Sequence, residues 1–334
     1  MFGLIYLMIK GDNIKNYKTA ASYEDESKEN LESLLHDFSM IKNEKPDYNL
    51  CYSTYREIAD FYGKIYNKMK TKYTAKDIEE FAKDPRIYEK LDYSSKLGLF
   101  ISAAINKNMK KDERIFIDSP IPIDLLFYNL NCLEARTNKA GDKLGYCAKN
   151  SRIYAHEAGD YAGSDMENSE LHVFKAGDSL AEYAKNSKIY AYKSGDDAGI
   201  YMENSELHVN NSEDYLGSGA ENSRIYAGKT GIWAGYYMKN SELKVKSALD
   251  YIGYGSKNST INAEKVKIQY NKDSYRQVKN LKLYIDTLEG KFKSRLNLLR
   301  YFTEEDNEIY LDKKAYNKHK LLYKIIGAKV WDKE

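Results

Sequence analysis

The chain is short of the residues that usually announce chemistry. Only 3 of 334 residues are cysteine, and Cys51, Cys132 and Cys147 stand in no CxxC spacing. That argues against a disulfide framework and fits a reducing compartment, the cytoplasm. Net charge is nearly absent, +2 from 52 basic and 50 acidic residues, so the balance typical of nucleic-acid binding is missing. No apolar run is long enough to cross a bilayer. Met1 to Ile9 is apolar, but it is short and lacks both a basic start and a small-residue cleavage site. It reads as a buried strand, unless Met8 is the genuine start and the residues before it are not part of the protein. Neither a glycine-rich phosphate loop, nor a nucleophile elbow, nor zinc-ligand spacing is found. These absences imply no cofactor, no metal and no membrane partner, and they lean against an enzyme.

What the chain does have is tyrosine, 32 residues of it, and a repeat. With many Lys and Glu and only 4 prolines, the composition has a thermophile-like look. The motif Asn-Ser-x-(Ile/Leu)-x-(Ala/Val) opens at Asn150, Asn168, Asn186, Asn204, Asn222, Asn240 and Asn258, a strict 18-residue period. A fixed short period means a stacked solenoid. Leu171 and Val173 alternate with polar neighbours, as in a half-buried strand. Ala176-Gly177-Asp178 then reads as a turn, followed by Leu180 and Ala184. An 18-residue unit rich in Gly and Asn is too short and too poor in helix formers for a helical solenoid. Each unit is therefore one coil of a parallel β-helix.

The interior positions alternate in size. Ile153/Ala155/Ala162/Met166 is followed by Leu171/Val173/Leu180/Ala184, and the same exchange recurs down to Leu243/Val245/Ile252/Ser256. Alternation keeps a densely packed column at constant volume, so the true unit is two coils, a 36-residue double repeat. Interior residues fall at positions four, six, thirteen and seventeen, which excludes the hexapeptide phase of left-handed acyltransferase solenoids.

Outward columns carry the candidate chemistry. Asn and Ser at positions one and two form ladders. Position three alternates in charge: Arg152, Glu170, Lys188, Glu206, Arg224, Glu242. Position five is an aromatic column of Tyr154, His172, Tyr190, His208 and Tyr226. His172 and His208 lie two coils, about 9.6 Å, apart, too far to share a metal. A turn column holds Asp142, Asp160, Asp178, Asp196, Asp214 and Asp250, interrupted by Ile232. The favoured reading is an Asp that bonds its own turn backbone beside a glycine of positive φ. The competing reading is a carboxylate ladder for Ca²⁺. The Asp and Tyr/His columns together are the candidate ligand surface.

Runs such as Ala158-Gly159-Asp160-Tyr161-Ala162-Gly163 with Met166 and Leu171-x-Val173, and Ser194-Gly195-Asp196-Asp197-Ala198-Gly199 with Met202, Leu207 and Val209, resemble a known glycine-rich β-helix. It is the one that forms the C-terminal domain of the glutamate synthase large subunit. A similar repeat occurs in one of the subunits of formylmethanofuran dehydrogenase. Asn-Ser stands where that family has a Gly-Gly pair. The resemblance implies a β-helix used as scaffold or docking surface, and no catalytic residue carries over.

The flanks read as helical. Residues 1–111 form a helical domain, with Leu31, Leu34, Leu35 and Phe38 on one face and Ile58, Phe61, Tyr62, Ile65 and Met69 on another. Thr74 with Asp77 starts a helix, Pro85 interrupts it, and Leu97 to Ile105 is a core segment. The β-helix spans 112–270. Its first coil is degenerate, with Leu133, Ala135, Leu144 and Ala148 inside and two extra residues near Thr137, and the helical domain caps it. Residues 271–334 read as a helical cap or oligomerisation segment. There a long helix from Ser274 carries Val278, Leu281, Ile285, Leu288, Phe292, Leu299 and Phe302, and a last helix carries Leu321, Leu322 and Ile325. The expected fold is α+β, a central parallel β-helix with helical flanks. The expected role is a non-enzymatic scaffold that binds a protein partner or a second copy through those flanks. Alternatives are a carbohydrate- or Ca²⁺-binding or -modifying β-helix and a filament former resembling bactofilins.

Overall fold

The structure, a computed structural model, describes residues 21–45, 49–89, 91, 93–268, 281–290, 307–313, 317 and 329–331. The chain divides into two compact units, Met1–Gly177 and Asp178–Glu334.

The first unit opens with α1 (Ala21–Lys42), α2 (Tyr55–Lys68), α3 (Ala75–Lys83) and α4 (Ser94–Asn108). Capping boxes at Thr54/Glu57 and Thr74/Asp77 fix the starts of α2 and α3. α2 buries Ile58, Phe61, Tyr62 and Ile65, the face its periodicity marks. α4 is buried from Ser95 through Ile105, as an all-round apolar helix must be. On one side Phe100 meets Phe38 and Phe81, each at 5.3 Å between ring centres. Its other side closes the first coil of the β-helix. Ser94 Oγ accepts the Asp124 N–H, and Ser102 Oγ accepts the Tyr128 N–H. Asn106 Nδ2 donates to the carbonyls of Tyr128 and Asn129. Gly98 makes the approach possible, since a Cβ there would stand 1.9 Å from the Asp124 carbonyl oxygen. The cap thus supplies partners to backbone groups that an open end would leave bare.

Four parallel strands follow in this unit: β1 (Arg114–Ile117), β2 (Glu134–Lys139), β3 (Arg152–Glu157) and β4 (Glu170–Lys175). Ala135 pairs with Ile153 and Thr137 with Ala155, so the β2 coil keeps the regular 18-residue step. Leu133, Ala135, Leu144 and Ala148 are all buried as expected, and Thr137 joins them inside. The two extra residues lie one coil earlier. Ile117 pairs with Thr137, while the Asp142 N–H meets Asp124, which places the insertion between Ile117 and Asp124, around Pro120 and Pro122.

The second unit carries β5 (Lys188–Lys193), β6 (Glu206–Asn211), β7 (Arg224–Lys229), β8 (Glu242–Ala248), β9 (Thr260–Ile268), β10 (Lys282–Gly290), β11 (Glu308–Asp312) and β12 (Lys329–Trp331). Each is parallel to the next. The 18-residue step holds up to β9, where Leu243 lies beside Ile261. Beyond it Ile261 pairs with Leu283, Leu283 with Ile309, and Leu311 with Val330, steps of 22, 26 and 19. This corrects the C-terminal helix. Leu281, Leu283 and Ile285 are all fully buried and alternate with exposed or half-buried neighbours, the signature of a strand. Of the other positions assigned to that helix, Val278, Phe292, Leu299 and Phe302 lie outside the described residues. Of the last helix, Lys313 and Asn317 are helical, and Leu321, Leu322 and Ile325 lie outside the description.

The size-alternating columns are interior as expected. Ile189, Leu207, Ile225 and Leu243 are all fully buried, and so is Ala191, while Val209 beside it is 2 % exposed. Paired coils set Ile189 against Leu207 and Ala191 against Val209. Each large aliphatic side chain contributes about 1.5–3 kcal/mol by burial.

The wall opposite the strands is not a loop. Positions twelve, fourteen, sixteen and one adopt positive φ, as at Asp197 (59°), Gly199 (71°), Tyr201 (52°) and Asn204 (49°). Their N–H groups alternate up and down the stack: Asp197 to Asp214 O, Gly199 to Leu180 O, Tyr201 to Ser218 O. This wall is therefore hydrogen-bonded coil to coil like the sheet. Asn at position one is explained by its tolerance of the left-handed region. Glycine at position fourteen is explained by the interior: a Cβ at Gly217 would stand 2.2 Å from Ile225 Cδ1.

Candidate functional site

The turn column of Asp residues sits at the corner after each strand. Its carboxylates do not cap their own turns; they reach one coil onward. Asp124 Oδ1 accepts the Asp142 N–H at 3.0 Å, and Asp142 Oδ1 accepts the Asp160 N–H at 3.0 Å. In the second unit Asp178 accepts from Asp196, Asp196 from Asp214, and Asp214 from Ile232, at 2.8–2.9 Å. Ile232 can interrupt the column because receiving the bond needs only its N–H. The adjacent glycines carry no positive φ, contrary to expectation. They are required for space: a Cβ would stand 2.2 Å from Asp142 Oδ1 at Gly159 and 1.8 Å from Asp178 Oδ1 at Gly195. Burial first, then the neighbouring Asp124 and Asp160 charges, raise the Asp142 carboxyl above its ordinary value, while the Asp160 N–H opposes them.

The serine ladder is also internal. Ser151, Ser187, Ser205, Ser223, Ser241 and Ser259 are buried, although position two was expected to face outward. Each of Ser205, Ser223 and Ser241 donates its N–H to the hydroxyl of the next serine, at 3.0–3.2 Å. The hydroxyls in turn donate to the carbonyl two residues back, as Ser223 does to Glu221.

The aromatic column at position five forms as expected. Tyr154 stacks on His172 at 4.8 Å, Tyr190 on His208 at 5.1 Å, and His208 on Tyr226 at 4.6 Å. Cations cover the second faces of two of these rings: the Arg136 guanidinium lies over Tyr154 at 5.0 Å and the Lys244 ammonium over Tyr226 at 5.4 Å. Tyr154, His208 and Tyr226 are each sandwiched on both sides, so these three rings offer a sugar or a base no open face. Glu170 and Glu206 pair with His172 and His208 through Nε2. The charge alternation at position three holds in the register, with Arg152 beside Glu170 and Glu206 between Lys188 and Arg224.

A second aromatic wall was not foreseen. Trp233 stacks on Tyr251 at 4.2 Å, Tyr236 on Tyr254 at 5.5 Å, and Trp233 meets Tyr236 edge-on at 5.2 Å. The signal was present at positions twelve and fifteen but in too few coils to stand out. Also unforeseen was a cluster where the cap meets the coils. Cys51, Asp124 and Asp142 place one sulfur and two carboxylate oxygens within 4.8 Å of one another. Burial, then Asp124 and Asp142, push the Cys51 thiol far above its ordinary value. Burial, then Asp165, push Cys147 up to about 12. Neither thiol is poised as a nucleophile.

The fold defines a parallel β-helix protein with a helical N-terminal cap. The chain matches no family model, no curated protein and no solved structure. Among the described residues no helix is long and apolar enough to cross a membrane.

Proposed function

We propose that the chain is a non-enzymatic scaffold or interaction protein of the cytoplasm, serving a protein partner or a second copy. One observation carries this reading. The columns that a repeat would offer to a ligand are engaged between coils: aspartates on N–H groups, serines on N–H groups and carbonyls, aromatic rings on one another. A surface whose polar atoms are satisfied internally favours rigidity over chemistry. Three cysteines free of disulfides fit a reducing compartment. The cap over the first coil weighs against end-to-end filaments, because it engages the edge such assembly would need.

The test is thermal melting with and without millimolar Ca²⁺ or a glycan panel, paired with light scattering on the full chain. The scaffold reading expects no ligand-dependent shift and a single defined mass, monomer or small oligomer. A rise of several degrees with Ca²⁺ or a glycan, abolished by Asp196→Asn or His208→Ala respectively, would establish the binding alternative instead. Open-ended polymers would establish the filament.

A further inference from the structure

We propose that Cys51, Asp124 and Asp142 form a site for one divalent cation of the zinc class at the seam between the helical cap and the first coils. The donors come from three separate places. Cys51 lies in the short 3-10 turn Leu50–Tyr52, and the two aspartates occupy the same corner of successive coils. Their three donor atoms lie within 4.8 Å of one another, and among the described residues no other trio of His, Cys, Asp or Glu comes so close. The Asp142 carbonyl oxygen stands 3.7 Å from Cys51 Sγ as a fourth neighbour. Zinc bonds of about 2.0–2.3 Å to oxygen and sulfur draw such a set together by small side-chain movements.

The site holds two carboxylates with no cation in direct contact among the described residues. Among the described residues neither Asp124 nor Asp142 makes an ion pair. The adjacent cation, Lys143, acts on Asp142 and Cys51 through space, its ammonium lying over the rings of Tyr146 at 5.1 Å and Tyr161 at 5.8 Å. Two stacked carboxylates beside a buried sulfur therefore face each other with no counter-charge in contact, the deficit a divalent ion makes good.

The donors are also held in place by groups outside the trio. The Asp142 and Asp160 N–H groups fix Oδ1 of Asp124 and of Asp142, leaving each carboxylate a second oxygen. Asn49 Oδ1 accepts the Cys51 N–H at 3.0 Å, and Ser95 Oγ accepts the Leu50 N–H. Such bonds orient ligands in the way outer partners do in metal sites. Sulfur with two carboxylates suits zinc, whereas calcium and magnesium want oxygen alone. The second unit gives the internal comparison: its Asp178, Asp196 and Asp214 stack in the same way without belonging to such a trio. The cap contributes the sulfur, so the site belongs to the seam and not to the ladder. On binding, one Zn²⁺ replaces the thiol proton, which leaves to solvent as the Zn–S bond forms.

The experiment is titration of the metal-free full chain with Zn²⁺ and with Co²⁺. The expected result is one equivalent bound, a thiolate-to-cobalt charge-transfer band in the near ultraviolet, and a higher melting temperature with zinc. Cys51→Ser should abolish the band and weaken zinc at least tenfold, Asp124→Asn should weaken it, and Cys147→Ser should leave both unchanged. Circular dichroism checks the folding of each variant. Should Cys51→Ser not fold, alkylation of the wild-type chain decides, since zinc must slow modification of Cys51 specifically, read by peptide mass. No uptake by the wild type, zinc affinity unchanged in a folded Cys51→Ser, or no protection of Cys51 would each overturn the site.

Discussion

Within the second unit, strands β5 to β9 and strands β10 to β12 belong to the same kind of parallel stack, yet only the first group repeats. An 18-residue step gives way to steps of 22, 26 and 19 while parallel pairing continues unbroken. The sheet itself therefore does not impose the period. Pairing and inward alternation need only Leu283 and Ile285 in the right phase, and the connection between strands can vary. What imposes the period is the corner and the left-handed wall. There Asp, Gly, Ser and Asn each meet their counterpart one coil away, and an inserted residue would break every such bond.

The comparison can be broken at several points. Leu283→Ala should have the largest effect, about 2–5 kcal/mol, because the side chain is fully buried in β10. A helix carrying Leu281 and Ile285 inward would leave Leu283 off that face, and a loss under about 0.5 kcal/mol would restore it. Denaturant unfolding gives the number. Gly195→Ala should cost about 2–4 kcal/mol, since the added Cβ displaces the Asp178 carboxylate and strands the Asp196 N–H. The double change with Asp178→Ala should recover part of the loss. Ala191→Leu should overpack the alternating column by about 1–3 kcal/mol, and an unchanged melting temperature would remove the size-alternation argument. By contrast Thr287→Ala, on the exposed side of β10, should stay within about 0.5 kcal/mol.

The smallest effect concerns pH. The Asp142 carboxyl is raised in the fold, chiefly by burial, so the fold binds its proton more readily than the unfolded chain does. Its contribution is most favourable below the unfolded value, near about 3.9, and is lost as pH rises through the higher folded value. Asp142→Asn keeps an oxygen for the Asp160 N–H and removes the charge. The variant should therefore gain stability relative to wild type as pH rises from about 4 to 7, read as a widening difference in melting temperature. A difference constant across that range would contradict the assignment.

How much of this was legible depended on whether the signal was local and repeated. Seven returns of Asn-Ser fixed the coil and its register, and interior residues such as Ile189 and Met202 followed from it. The capping pair Thr74/Asp77 and the buried run Leu97 to Ile105 were legible for the same reason, since each is a short-range pattern. Three things were not. The target of each Asp lies a full coil further along the chain, and a turn residue more often bonds its own neighbourhood. The glycines beside them answer to steric approach between coils rather than to φ, which composition cannot separate. In the C-terminal stretch, Leu281 and Ile285 fit period two with Leu283 and a three-to-four spacing with Leu288. Only the partner strand decides between them. The Cys51 cluster joins side chains from distant parts of the chain, the cap and two coils, with no spacing rule to reveal it.

The central claim is that the outward columns hold coils together, and amide hydrogen exchange tests it most directly. The Asp214 N–H bonds to Asp196 Oδ1 at 2.8 Å, and the Asp196 N–H to Asp178 Oδ1 at 2.9 Å. In Asp196→Ala the Asp214 amide should exchange at least tenfold faster, while the Asp196-position amide, still held by Asp178, keeps its protection. Unchanged exchange at Asp214, or protection in the wild type that appears only when Ca²⁺ is added, would contradict the account and return the column to ligand binding.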